Sequence, residues 1–259
     1  MPPATNQPKP GSGKKWFFII LLGLILVFGL FISAYYISHA EQMGVTVIRM
    51  EGTMVTGQAS DADTIGSEVV GRELRDAADD PMVEAIVLRV NSPGGTPAAA
   101  QEIIRDLNYA KSKKPVVVSM GDLGTSAAYY VSAHADKIYA NPDTFTGGIG
   151  VIWKFSDISR WMENEGYNIS IIKSGSKKDM GSTSRPLSDE EQVYAQKIVN
   201  DSFENFITDV MTQRKIARSD IEDGRVIRGA DALRLNIVDE IGNLNDAING
   251  AKSIAESRD

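Results

Sequence analysis

Ser126 is the residue of this 259-residue chain with the strongest claim to chemistry. It follows an apolar run, Pro115 to Met120, and a Gly121-Asp122 turn, and it heads a small-residue stretch of helical character, Ala127 to Ala135. A strand that feeds a helix through a tight turn leaves a hydroxyl exposed at the helix N-terminus, where the dipole favours its anionic form. A serine in that place is also a preferred N-cap, so the rest of the chain has to decide between the two roles. Asn91-Ser-Pro-Gly-Gly95 ends an earlier apolar run with two glycines before a helix. Glycines there let backbone N–H groups face a cleft with no Cβ in the way. Such groups bind anions, including the oxyanion of an acyl-transfer intermediate. A second pair, Gly147-Gly148, reads as a plain turn.

A nucleophilic serine needs a base. The chain has two histidines. His39 sits at the end of an apolar segment. His134 is eight residues past Ser126, about 12 Å along one helix at a rise of about 1.5 Å per residue, which argues against a Ser-His-Asp triad. The remaining route is Ser-Lys, which requires a lysine that its surroundings can hold neutral. Lys173, Lys177 and Lys178 lie in a polar loop that leaves an apolar run at Ile171-Ile172. Spacing alone does not choose among them, and each could be a solvated surface lysine.

The elements that would position these groups alternate in type. Val45 to Met50, Val83 to Val90, Val116 to Met120 and Asn168 to Lys173 read as strands, with short apolar pieces at Lys137 to Ala140 and Ile149 to Trp153. Asp63 to Ala78, capped by Asp63 or Thr64, and Pro97 to Ala110, with proline in its first turn, read as helices. Ile158 to Glu165 and Gly229 to Leu235 read as shorter ones. Ser188-Asp-Glu-Glu191 is a capping box that opens a long amphipathic helix to about Arg214. Regular βα alternation points to an α/β domain with largely parallel pairing.

Trp16 to Ser38 contains no charged residue. That stretch is long enough to cross a bilayer core of about 30 Å as a helix. Lys14 and Lys15 precede it, so the N-terminus is expected in the cytoplasm and the domain on the outer side of the cell membrane. A cleaved signal peptide competes, because Ser38-His39-Ala40 imitates a cleavage site. The apolar stretch, however, exceeds the usual signal core of about 7–15 residues. The expected layout is a disordered tail over 1–15, a single transmembrane helix over 16–38 and a folded α/β domain over 44–259. A net charge of −7 and short lysine runs make nucleic acid a poor partner. The absence of cysteine excludes disulfides and thiolate catalysis.

Taken together, these motifs resemble the signal peptide peptidase A (SppA) family of membrane-anchored Ser-Lys proteases. The resemblance runs over about 45–245. It is carried by Asn91 to Gly95, Met120-Gly-Asp122 with Ser126 to Tyr130, Ala135 to Pro142, Thr146 to Val151, Lys173-Ser-Gly-x-x-Lys178-Asp-x-Gly-Ser182, and Gly224-Arg-Val with Val238 to Gly242. It implies the ClpP/crotonase-like fold, a repeated ββα superhelix, with Ser126 as nucleophile and Lys178 as general base. It also implies an oxyanion hole from Gly95 or Gly94 with the N–H of Ala127. No metal or cofactor is implied. Peptide substrates such as signal-peptide remnants and a homo-oligomeric ring or dome are. Ala127 and Ala128 stand where the family usually has glycines, and Gly148 where it often has serine. The alternatives are a non-catalytic crotonase-fold scaffold that binds hydrophobic peptides or a membrane partner, and an acyl-CoA crotonase, which a domain outside the cell would separate from its substrate.

Overall fold

The computed structural model describes residues 13–39 and 44–258. The chain divides into two units, 1–43 and 44–259, and residues 1–12 of the expected tail lie outside the described residues. The first unit holds one helix, α1 (Gly13–His39), which brackets the expected 16–38 span. The side chains of Phe17 to Ala34 are not buried within the chain.

The second unit begins with β1 (Val45–Glu51), β2 (Thr53–Val55), β3 (Thr64–Gly66), α2 (Ser67–Asp79) and β4 (Ala85–Ser92). It continues with α3 (Pro97–Lys111), β5 (Val116–Thr125), α4 (Ala127–Ala133), β6 (Lys137–Ala140), β7 (Phe145–Gly147) and α5 (Ser159–Asn164). The long helix α6 (Asp189–Gln213) is followed by β8 (Val226–Arg228), α7 (Gly229–Arg234), β9 (Glu240–Ile241) and α8 (Leu244–Glu256). The main sheet runs β1-β4-β5-β6-β9, all parallel. β7 joins the far end of β5 in parallel, and β8 pairs antiparallel to β7.

β4 and β5 sit inside this sheet because their runs are apolar on both faces. Ile86, Leu88, Val90, Val118 and Met120 point into the core covered by α2 and α3. Ala85, Val87 and Val117 point to the other face, against Ala247 and Ala251 of α8. The capping box expected at Ser188 is present, with Ser188 Oγ accepting from the Glu191 N–H.

Several elements differ from the reading of the sequence. α2 starts at Ser67, not Asp63, because Thr64-Ile65-Gly66 pairs as β3 with β2. β5 does not stop at Met120. Between Val90↔Met120 and Ser92↔Gly124, β4 advances by two residues and β5 by four, so Gly121-Asp122 lies in a bulge and not a terminal turn. Asn168 to Lys173 forms no strand. Its apolar residues find no partner strand among the described residues, and Ile172 is fully exposed. α8, capped by Asn243, was not anticipated.

Candidate active site

β5 ends at Thr125 and delivers Ser126 at φ 55°, ψ −127°. Among the described non-glycine residues only Ser126 and Asn236 have positive φ. A backbone of this kind costs about 1–3 kcal/mol and persists only where its surroundings hold it. Here they do. The Ser126 N–H donates to Gly147 O at 2.8 Å, and the Tyr130 N–H donates to Ser126 O at 2.9 Å. Thr125 Oγ1 donates to Pro93 O at 3.1 Å. The bulge before the serine is pinned by Asn91 Oδ1, which accepts from the N–H groups of Asp122 and Leu123, both at 3.1 Å. Thr144 and Thr146 hydroxyls donate to Gly121 O and Gly124 O. Gly147 and Gly148 do form a turn, at φ 72° and 62°, but the Gly147 carbonyl also orients the serine. The Ser126 side chain makes no capping hydrogen bond, so its hydroxyl is not used by the helix it heads.

Two cavities meet at Ser126. One, of about 140 Å³, is lined by Gly95, Pro97, Ala127, Tyr130, Val151 and Phe206, with Gln101, Ser202 and Asn205 supplying polar atoms. The other, about 520 Å³ and open, lies beyond Gly148 to Ile152 and carries Phe203, Val226, Glu222 and Asp223. Gly94, at φ 103°, packs so closely that a Cβ there would stand 2.8 Å from Ser126 Cβ and 2.9 Å from Ala127 N. The Gly94 N–H donates to Ser92 Oγ at 3.1 Å. No hydrogen-bond partner of the Gly95 or Ala127 N–H is found among the described residues.

The three lysines left open by spacing differ in their surroundings. Lys173 Nζ is bound to Asp179 at 2.5 Å, and Lys177 Nζ lies 3.8 Å from Glu190. Lys178 is exposed, makes no ion pair among the described residues, and lines neither cavity at Ser126. Its loop is fixed by Arg185, whose guanidinium grips Asp179 through Nε and Nη2 at 2.7 and 2.8 Å. Arg185 also grips Glu191 through Nη1 and Nη2 at 2.8 and 2.7 Å. Arg185, then Lys173, hold the Asp179 carboxyl well below the usual carboxylate range. Arg185, then the Ser188 N–H, lower Glu191 to about 2.

A carboxylate with a depressed pKa contributes stability above its unfolded value, near 4, and loses it as pH falls through the folded value. The gap in Tm between the parent and Arg185→Gln is therefore expected to be full at pH 6 and to close toward pH 2. A gap of constant size across that range contradicts the assignment.

His134 makes no hydrogen bond to Ser126 among the described residues. It is buried, and its Nε2 meets Asp209 Oδ2 at 3.1 Å. Burial pushes its pKa down, and Asp209 opposes that shift. The same Asp209 oxygen accepts from Tyr130 Oη at 2.8 Å. The sequence separation of this pair hid it from pattern reading.

Comparison with known proteins gives a consistent picture. Residues 108–258 match the model of peptidase family S49. Protease 4 of Haemophilus influenzae is 36% identical over 221 residues, covering 83% of this chain and 35% of that protein. The chloroplastic serine protease SPPA of Arabidopsis thaliana is 30% identical over 221 residues, covering 82% of this chain and 32% of that protein. The chain thus spans from about a third to just under two thirds, 35% to 63%, of the first curated relatives it matches. Among solved structures, the 1510-N membrane-bound stomatin-specific protease superposes with a TM-score of 0.54 at 18% identity. That match covers 78% of this chain and 81% of the other. At that identity the likeness is one of fold, and the fold is ClpP/crotonase-like.

Proposed function

This chain belongs to peptidase family S49, as an SppA-like member, and from that premise we propose that it is a membrane-anchored serine endopeptidase with Ser126 as nucleophile. The observation that carries the reading is the backbone of Ser126. A strained, positive-φ serine whose hydroxyl caps nothing and opens on a cleft has the geometry of a nucleophile elbow.

In the proposed reaction Ser126 Oγ attacks a peptide carbonyl and its proton passes to Lys178 Nζ. The oxyanion is held by the N–H groups of Gly95 and Ala127, which have no partner among the described residues. Gly94, whose donor is engaged by Ser92, contributes the close approach. The leaving amine takes the proton from Lys178, and water then hydrolyses the acyl-enzyme. Within one chain Lys178 does not line the cleft, so the base comes from a second copy in a homo-oligomeric ring or dome. The exposed Ile152, Trp161, Tyr167 and Ile172 are apolar surface that such an assembly would cover. Substrates are peptides with apolar side chains, released signal peptides above all, suited to the wall of Tyr130, Val151 and Phe206.

The helix α1 is the membrane anchor in this account, with the N-terminus cytoplasmic and the 44–259 domain outside. Full-length protein is expected to stay with membranes through carbonate washing, and a chain starting at Gln42 to be soluble. Release of the intact chain by carbonate contradicts the anchor, and a mature chain beginning at Glu41 identifies a signal peptide instead.

The activity is tested with the full-length protein in detergent and a quenched-fluorescence signal-peptide sequence as substrate. Cleavage that a serine-directed fluorophosphonate abolishes is the expected result. Binding of the peptide with no cleavage indicates a scaffold on the crotonase fold.

A further inference from the structure

Tyr130 has three roles at once. Its N–H closes the first turn on Ser126 O at 2.9 Å. The residue lines the smaller cavity beside the serine. Its hydroxyl donates to Asp209 Oδ2 on α6 at 2.8 Å. The ring also packs on Phe206, three residues before Asp209, with centroids 4.6 Å apart. His134, one helical turn after Tyr130 on α4, meets the same Asp209 oxygen at 3.1 Å. One carboxylate oxygen therefore ties two successive turns of the serine helix to α6.

We propose that Asp209 is a positioning residue that sets which side chains the cleft admits, by fixing the Tyr130 ring in the cleft wall. The proposal rests on the peptidase reading of the cleft. The physical argument is one of degrees of freedom. An aromatic ring in a cavity of about 140 Å³ decides what fits only if it cannot swing aside. Packing on Phe206 and His134, with ring centroids 4.6 and 5.8 Å away, restrains the Tyr130 ring but leaves it some freedom to pivot about its Cα–Cβ bond. A charge-assisted hydrogen bond at the far end of the ring removes that freedom. Burial and Asp209 both hold the phenol protonated, so it remains a donor. His134, one turn further along, meets the same oxygen at 3.1 Å and gives the carboxylate a second contact that does not depend on Tyr130.

The test uses three fluorogenic peptides that differ only in the residue before the scissile bond, alanine, leucine or phenylalanine, with kcat and KM measured separately on the full chain. Tyr130→Phe keeps the ring and removes the anchor. Asp209→Ala removes the anchor from the other side. Both are expected to raise the phenylalanine-to-leucine ratio of kcat/KM about tenfold, the scale on which pocket shape discriminates apolar side chains. The change should fall on KM. Asp209→Asn, whose Oδ1 still accepts from Tyr130, is expected to restore the parent's ranking. If Asp209→Ala fails to fold, Tyr130→Phe carries the test alone. An equal loss of kcat on all three peptides, or an unchanged ranking, overturns the positioning role. A parent that cleaves none of them, and is not labelled at Ser126, instead overturns the peptidase reading on which the role rests.

Discussion

Ser126→Ala is expected to abolish peptide hydrolysis and to leave the fold as stable as the parent's. Removing the nucleophile from a serine peptidase costs on the order of 10⁶ in kcat, because the acyl-enzyme can no longer form. Stability should not follow, for a local reason. An N-cap serine replaced by alanine loses about 1 kcal/mol, but the Ser126 hydroxyl accepts no capping hydrogen bond. The interactions that hold residue 126 in place are its own N–H to Gly147 O and its carbonyl to the Tyr130 N–H, and alanine keeps both. The two readings of this serine thus give opposite results. A nucleophile loses activity and no stability, whereas a cap loses stability and no activity. Hydrolysis at the parent's rate by the purified variant, together with a lowered Tm, would assign Ser126 to the cap.

Lys178→Ala is expected to be as inactive as Ser126→Ala, since paired catalytic groups act as one unit. Lys177→Ala should retain activity, and so should Lys173→Ala if the loop stays held by Arg185. The two lysines pair with Glu190 and Asp179, and neither is proposed to reach the serine. The larger effect appears when the two inactive variants are co-expressed. In the proposed assembly each site takes its serine from one copy and its lysine from the next. A mixed oligomer then contains intact sites wherever a Lys178→Ala chain lends its serine to a Ser126→Ala neighbour that lends its lysine. With random mixing in a heterologous ring, roughly a quarter of sites are restored. Activity near that level, measured on the co-purified mixture against each variant alone, is the expected result. A mixture as inactive as its components places base and nucleophile in the same chain. Loss of activity in Lys177→Ala with retention in Lys178→Ala shifts the base by one residue.

What was legible in the sequence was what local chemistry determines. Pro97 and the Ser188 capping box mark helix starts by their own hydrogen-bonding needs, and both helices begin where those residues put them. The apolar runs of β4 and β5 announced a buried parallel sheet. Ser126 stood out because a strand, a turn and a small-residue helix met there. The failures share a different physics. Gly121-Asp122 has turn composition, yet Asn91 on the neighbouring strand satisfies the two N–H groups that a bulge leaves unpaired, and the strand continues. Thr64-Ile65-Gly66 pairs with β2 instead of starting a helix, because residues 53–55 supply the partner. Asn168 to Lys173 has the composition of a strand and no partner in one chain. The Tyr130–Asp209–His134 link joins α4 to α6 across 79 and 75 residues. None of these is encoded within a window of a few residues. Each depends on what a distant part of the chain does or does not bring alongside.

The central claim is that the hydroxyl at residue 126 becomes acylated. It is tested most directly by treating the full-length protein with a peptidyl fluorophosphonate that ends in leucine, digesting it, and locating the adduct by tandem mass spectrometry. A single adduct on Ser126, absent from Ser126→Ala and strongly reduced in Lys178→Ala, is the result this account expects. An adduct on another hydroxyl, or an unmodified Ser126 in a preparation that hydrolyses peptide, would contradict it.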